Sequence, residues 1–292
     1  MGQHFFLNFP ALTIWQSHPL TVASMPTSSE ELHHTYIVRC RKGETSRLKS
    51  LALGQAQDIK PAPKEANSSG TITTPVILCG PYGNALIPIK STPETTNILA
   101  IAGGTGVSLT LPLVLAASSC SAFEKVAVDF VWIVRRTVNT RWISAELQEL
   151  KSRSALGNAN LKIHIFVTQE EDASASKTSL PHTNVVDEKA TAEIDIRPVS
   201  LPSSSSSEKA ESSTANFDIT YLNSAHPSLH EIVATFMEQR AQTEYRTRVV
   251  ASGPAGMGED LRAVVAKCNN GGKVLRGDMR WDVDLTWDDR GD

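Results

Sequence analysis

The sequence predicts a two-part fold: an α/β domain on a doubly wound parallel sheet, preceded by an incomplete antiparallel β-barrel. Three observations predict it. From about residue 97, short apolar runs alternate with helical patterns, the rhythm of parallel strands joined by crossover helices. Before that point the apolar runs are cut by Pro, Gly and Ser clusters, as in a barrel or sandwich. A serine-rich stretch over 170–215 then interrupts the alternation without ending it. The expected division is a β part over 1–93 and an α/β part over 94–292.

The β part has apolar runs at 4–9, 20–23, 35–40 and 75–78, with a polar loop over 54–74 between strands. The α/β part opens with a buried strand over 97–102 and a helix over 108–117. A strand at 126–134, an amphipathic helix at 141–152 with Leu147 and Leu150 inward, and a strand at 161–168 follow. Residues 170–215 include an unbroken serine run from Ser203 to Ser207. They offer too little apolar surface to offset the entropy of ordering, and read as a disordered insertion. The alternation resumes with a strand at 217–222, a helix at 228–241, a strand at 248–251 and a helix at 259–267. An edge strand at 282–287 closes the chain, and the strands on both sides of the insertion are expected in one sheet.

The totals exclude several classes. A net charge of -3 over 292 residues leaves no basic footprint for nucleic acid. Cys40, Cys79, Cys120 and Cys268 lack CxxC or metal spacing and read as reduced thiols. His33 and His34 are adjacent, so on a strand they face opposite sides and chelate poorly. Residues 95–123 carry no charge and on hydropathy alone are long enough to cross a bilayer. Gly103-Gly104-Thr105-Gly106 breaks that stretch early and Pro112 lies in its second half, so a strand, a glycine turn and a buried helix account for it better. Gly2-Gln3-His4-Phe5-Phe6-Leu7 lacks a basic leader and cleavage site, so no signal peptide is expected.

Four segments carry chemistry. Ile98 to Ala102 runs through Gly103-Gly104-Thr105-Gly106 into Val107-Ser108, a strand, a glycine turn and a helix start. Glycines let a backbone approach a diphosphate, and free N–H groups with the positive dipole end then face it. The turn is neither a Walker A loop nor a GxGxxG fingerprint. Val249 to Ser252 runs through Gly253-Pro254-Ala255-Gly256-Met257 with the same strand–turn–helix grammar, at the carboxyl edge where α/β folds bind ligands. Gly80-Pro81-Tyr82-Gly83 and Ser17-His18-Pro19-Leu20-Thr21 complete the set; either alone reads equally well as a plain turn or strand.

Taken in order, these segments resemble the ferredoxin-reductase-type flavoproteins, and more narrowly the fungal ferric reductases and related NADPH oxidases. Gly2 to Leu7, Trp132-Ile133-Val134-Arg135 and Trp142 fit the same family. The resemblance implies FAD and NADPH as cofactors. His18 would face the FAD diphosphate and Thr21 the isoalloxazine, with Pro19 and Leu20 shaping the strand; Leu20 stands where the family usually has Phe. Arg41, Lys42 and Thr45 would lie near the FAD phosphates, although a solvated turn explains Arg41 and Lys42 equally well. Gly80, Tyr82 and Gly83 would join the flavin site, and Trp287 would cover the flavin face.

The resemblance further implies that Gly103, Gly104, Thr105, Gly106, Val107 and Ser108 hold the NADPH diphosphate. Arg135 and Thr168 would lie near the 2′-phosphate, and an arginine fork suits a phosphate dianion. Ser252, Gly253, Pro254 and Met257 would lie beside the nicotinamide; many relatives have Cys at Ser252. With Thr21 on the flavin side, Ser252 would be the residue nearest hydride transfer. Ala225-His226-Pro227 stands where relatives often have Gly-Arg-Pro, which removes one fixed positive charge.

Family members carry a haem-binding membrane domain ahead of this region and further barrel strands before Gly2; neither occurs in this sequence. Attachment to the cytosolic side of a membrane would come through that domain, which would pass electrons to ferric chelates. A superoxide-forming oxidase and a truncated remnant that binds nucleotide alone remain open alternatives.

Overall fold

The structure, a computed structural model, describes residues 2–25, 33–58, 73–83, 85–86, 96–119, 126–155, 160–170, 216–222, 224–240 and 244–289. The expected disordered insertion therefore lies, beyond Glu170, outside the described residues. In the first part, β1 (His4–Asn8), β2 (Ser17–Thr21), α1 (Glu44–Asp58) and β3 (Ile77–Tyr82) follow one another. The three strands form one antiparallel sheet in the order β2-β1-β3. Its registers pair Leu7 with His18 and His4 with both Thr21 and Tyr82.

The second part runs β4 (Thr96–Gly103), α2 (Val107–Ser119), β5 (Val128–Val134), α3 (Ser144–Ala155), β6 (Leu161–Val167), β7 (Phe217–Tyr221), α4 (Leu229–Gln239), β8 (Arg246–Gly253), α5 (Ala255–Cys268), α6 (Gly271–Val274) and β9 (Val283–Asp289). Its six strands are all parallel, in the order β7-β6-β5-β4-β8-β9. From β4 the chain winds outward through β5, β6 and β7, then returns to lay β8 and β9 on the other side of β4. The winding direction therefore reverses between β4 and β8, the point where such sheets leave a crevice at the strands' carboxyl ends.

Burial on both faces explains the near-continuous apolar strands. Ile98, Ala100 and Ala102 of β4 join a core with α2 and α3, while Leu99 and Ile101 join a second core with Phe236 of α4 and Leu261 of α5. Helix α2 is apolar on nearly every side because it is buried almost throughout. Met25, Ile37 and Leu86 pack against the first core and dock the β part on it. No helix among the described residues is long and apolar enough to cross a membrane.

The structure departs from the sequence reading in four elements. Helix α1 spans 44–58, where no helix was expected and the residues from 54 onward were read as a polar loop. Its residues are mostly Leu, Ala, Gln, Lys and Arg, good helix formers without a clear apolar stripe, so periodicity does not reveal it. Residues 35–40 contribute an isolated bridge, Val22 to Tyr36, rather than a strand. Helix α3 begins at Ser144, because a 3-10 turn occupies Thr137–Ile143. Helix α5 starts at Ala255, directly after Pro254, whose φ of -61° suits a helix entrance. The two glycines Gly256 and Gly258 mask that start in the sequence.

Candidate functional site

The two glycine turns meet at the switch point. Strand β4 ends at Gly103, a 3-10 turn covers Gly104–Gly106, and α2 begins at Val107. Gly104 has φ +54°, the left-handed region that glycine enters without a Cβ penalty, and open space lies where its Cβ would be. The indole of Trp132 donates to the Gly104 carbonyl at 2.9 Å and fixes the turn from below. The hydroxyl of Ser108 donates to the Thr105 carbonyl at 3.0 Å, tying the turn to the first turn of α2.

From the other side, β8 delivers Ser252 and Gly253, and Pro254 leads into α5. A methyl group at Gly106 would stand 2.1 Å from the Ser252 carbonyl oxygen, and one at Gly253 would stand 3.3 Å from the Gly103 Cα. At Gly106 only glycine permits the backbones to lie this close, and at Gly253 a side chain would be tight. The result is an open cradle lined by two helix N-termini, the chemistry a dinucleotide diphosphate requires.

The side chains expected here divide. Val107 and Ser108 are fully buried, and the Val107 side chain is part of the first core. Met257 lies beneath Gly253 and Gly103 and packs into the second core. Ser252 is fully buried, and its hydroxyl donates to the Asp288 carboxylate on β9 at 3.3 Å. Arg135 is exposed just past the end of β5. Thr168 is buried, and its hydroxyl donates to the Val134 carbonyl at 3.2 Å, so it joins strand ends rather than facing a phosphate. His226 is exposed ahead of α4.

Trp287 is placed elsewhere than expected. It lies on β9 against α5, where a Cβ at Gly258 would meet its indole at 2.4 Å and Arg262 lies 6.0 Å from its ring. Its side chain, partly buried, packs against the second core.

In the β part, His18 and Leu20 line a small cavity beneath α1, and Thr21 is buried at the end of β2. Pro19 is exposed. Arg41 and Lys42 are exposed immediately before α1, and the Arg41 backbone N–H donates to the Thr45 hydroxyl at 2.9 Å. The Gly-Pro-Tyr-Gly segment packs on β1: Tyr82 stacks on His4 at 5.9 Å between centroids, and the Gly83 carbonyl accepts from Gln3 at 3.1 Å. A Cβ at Gly80 would meet the Phe5 ring at 2.7 Å. A hydrogen bond with Cys79 raises the Tyr82 phenol above its usual range.

The donor sets fit their groups, with one exception. The glycine cradle suits a dinucleotide. His18, Arg41, Lys42 and the start of α1 suit an anionic flavin tail, and the buried His18 Nε2 has no hydrogen-bond partner among the described residues. The exception is Glu44, which the sequence reading passed over; it begins α1 and lies 3.8 Å from that nitrogen. Asp288 was also missed, although it adjoins Trp287 in the sequence.

The fold is similar to that of the ferredoxin-NADP+ reductase from Plasmodium falciparum (TM-score 0.51, 11% identity, 98% of this chain and 82% of that one). It is also similar to the CS-b5R domains of human Ncb5or (TM-score 0.54, 12% identity, 97% of this chain and 59% of that one). A parallel sheet with facing glycine turns at its switch point, joined to a small antiparallel sheet, is a ferredoxin-reductase-like fold. Residues 95–266 match the ferric reductase NAD binding domain family and residues 1–86 match an FAD-binding domain family. The chain belongs to the ferric reductase NAD-binding domain family.

Among curated relatives, it is similar to ferric reductase transmembrane component 1 of Schizosaccharomyces pombe, 26% identical over 216 residues, 63% of this chain and 37% of that protein. It is 25% identical over 268 residues to ferric/cupric reductase transmembrane component 2 of Saccharomyces cerevisiae, 91% of this chain and 32% of that protein. The chain thus spans about a third of the length of these two relatives.

Proposed function

We propose that this chain is the electron-entry region of a ferric reductase, taking hydride from NADPH onto FAD for onward transfer to ferric chelates. Residues 1–93 would hold the flavin and residues 94–292 the nicotinamide nucleotide. The observation that carries the reading is the contact of the Gly103–Gly106 turn with Ser252 and Gly253 at the sheet's switch point. The bound flavin and nicotinamide supply the hydride chemistry themselves. The chain's own residues orient them. Gly103 to Ser108 present backbone N–H groups to the diphosphate, and Ser252, held by Asp288, lies beside the nicotinamide with Gly253 and Pro254. Arg135 would favour NADPH over NADH by pairing with the 2′-phosphate. On the flavin side, Thr21 would meet the isoalloxazine, and His18, Arg41, Lys42 and Thr45 would bind the phosphates.

A second reading is favoured by β3. Its outer edge is unpaired among the described residues, and Ile77 and Leu78 are 58% and 47% exposed. An open, apolar edge weakens the wall that would support a flavin. On that reading the chain binds nucleotide well and flavin poorly. One experiment separates the two. The protein is purified with added FAD, its visible spectrum recorded, and its reduction of ferricyanide by NADPH measured. Retained flavin with turnover on the order of 10 per second supports the reductase reading. Nucleotide binding without flavin or turnover refutes it in favour of the second.

A further inference from the structure

We infer that Glu44 governs how tightly this chain holds a diphosphate-bearing flavin, because its carboxylate already stands beside His18 and pairs with Arg47 at the start of α1. The inference rests on the flavin reading above. Helix α1 is 15 residues long, and the unpaired N–H groups of its first turn favour a negative charge. Basic groups gather there: Arg41 and Lys42 just before the helix, Arg47 one turn into it, and His18 beneath it. The carboxylate that meets Arg47 and His18 is the chain's own. The Glu44 side chain is 8% exposed; Oε1 accepts from Arg47 at 3.0 Å, and Oε2 lies 3.8 Å from His18 Nε2.

Neither Glu44 Oε2 nor His18 Nε2 has a hydrogen-bond partner among the described residues. Both residues line one small cavity with Phe9, Leu20, Val38 and Leu48. At 3.8 Å the two atoms are too far apart to bond each other and are shut away from water, an arrangement that a better partner for the histidine would relieve. An incoming diphosphate offers that partner. To reach His18 and the helix start it must first release Glu44 from Arg47, or sit beside a like charge in a poorly screened site. The isoalloxazine and ribityl chain carry no such charge. The penalty therefore falls on FAD and not on riboflavin.

The test is a pair of fluorescence titrations, with riboflavin and with FAD, on the full chain and on Glu44→Gln. The amide keeps the shape and removes the charge. FAD should bind at least about tenfold tighter to the variant, a change of roughly 1.4 kcal/mol, while riboflavin shifts by less than about twofold. Unchanged or weaker FAD binding overturns the inference, as does an equal gain for both flavins. If Glu44→Gln melts early, Glu44→Ser repeats the comparison with a residue suited to a helix start. Riboflavin binding without any gain for FAD defeats this inference alone. Failure of both flavins to bind either protein defeats the flavin reading and this inference with it.

Discussion

Gly106→Ala puts the contact between the two turns directly to the test. The added methyl would lie 2.1 Å from the Ser252 carbonyl oxygen, 2.6 Å from its carbon and 3.1 Å from its hydroxyl. A relaxed carbon–oxygen contact needs about 3.3 Å, so the turns must part by roughly an ångström. Ser252 cannot simply yield, because it is fully buried and registered against Ala102 of β4 and Asp288 of β9. Forced expansion of this kind costs about 1–3 kcal/mol, visible as a melting point lowered by several degrees. Misplacement of about an ångström also costs about a hundredfold in transfer between oriented partners. The assay is ferricyanide reduction by NADPH, normalised to folded protein, with nucleotide affinity measured by titration. Two controls separate crowding from glycine loss in general. Gly256 has open space around its Cβ position, so Gly256→Ala should be neutral or stabilise by up to about 1 kcal/mol. Gly104→Ala meets no atoms but must hold φ +54°, which costs about 1–2 kcal/mol of backbone strain without moving Ser252. A Gly106→Ala protein that melts, binds and turns over like the parent would refute the touching-turn geometry.

Three further outcomes are expected. Arg135→Ala should weaken NADPH by about 1.5–3 kcal/mol and NADH hardly at all; equal losses in paired titrations would mean that Arg135 serves the fold. Burial raises the Asp129 carboxyl, opposed by Arg240 at 3.0 Å. With its folded value above its unfolded one, Asp129 binds a proton more readily in the native state than in the unfolded chain over the pH interval between the two values, and is charged and paired with Arg240 above it. Its contribution to stability therefore falls as pH rises from the ordinary carboxylate value through the raised one. Arg240→Met should then cost about 3–5 kcal/mol near neutrality, because it strands a buried charge. In urea melts the loss should shrink on acidification, and a pH-independent loss would contradict the assignment. Finally, Trp287→Ala should lower stability by about 2–3 kcal/mol through its lost packing on Gly258 and Arg262, with flavin affinity unchanged. A selective loss of flavin would return Trp287 to the flavin face.

The glycine-turn crevice was legible in the sequence because its grammar is written in consecutive residues. A buried strand, a run of glycines and a helix start suffice to name the Gly103–Ser108 turn, and the same grammar recurs at 249–257. The parallel sheet was legible for the same reason, since each strand and helix shows its own local period. The missed and misplaced elements lack a local signature. Helix α1 lacks a clear apolar stripe, so its composition reads as loop until the cavity over His18 gives it a place to pack. Thr168 ends a strand just as a ligand residue would, and only the position of Val134 turns its hydroxyl inward.

By itself, then, the sequence determined the class of fold, the two glycine turns and the family that their order resembles. The tertiary structure decided which residues meet. Trp287 and Asp288 are neighbours in the chain, yet alternation along β9 sends the indole to α5 and the carboxylate to Ser252. Gly106 and Ser252 are far apart in sequence, yet parallel pairing of β4 with β8 presses them together. Glu44 reads as an ordinary helix start until His18 is found beneath it. Local sequence sets the period and the turn, but the face a side chain presents and the charge it meets depend on strand order and register. Those are set by how all the elements bury their apolar surface together.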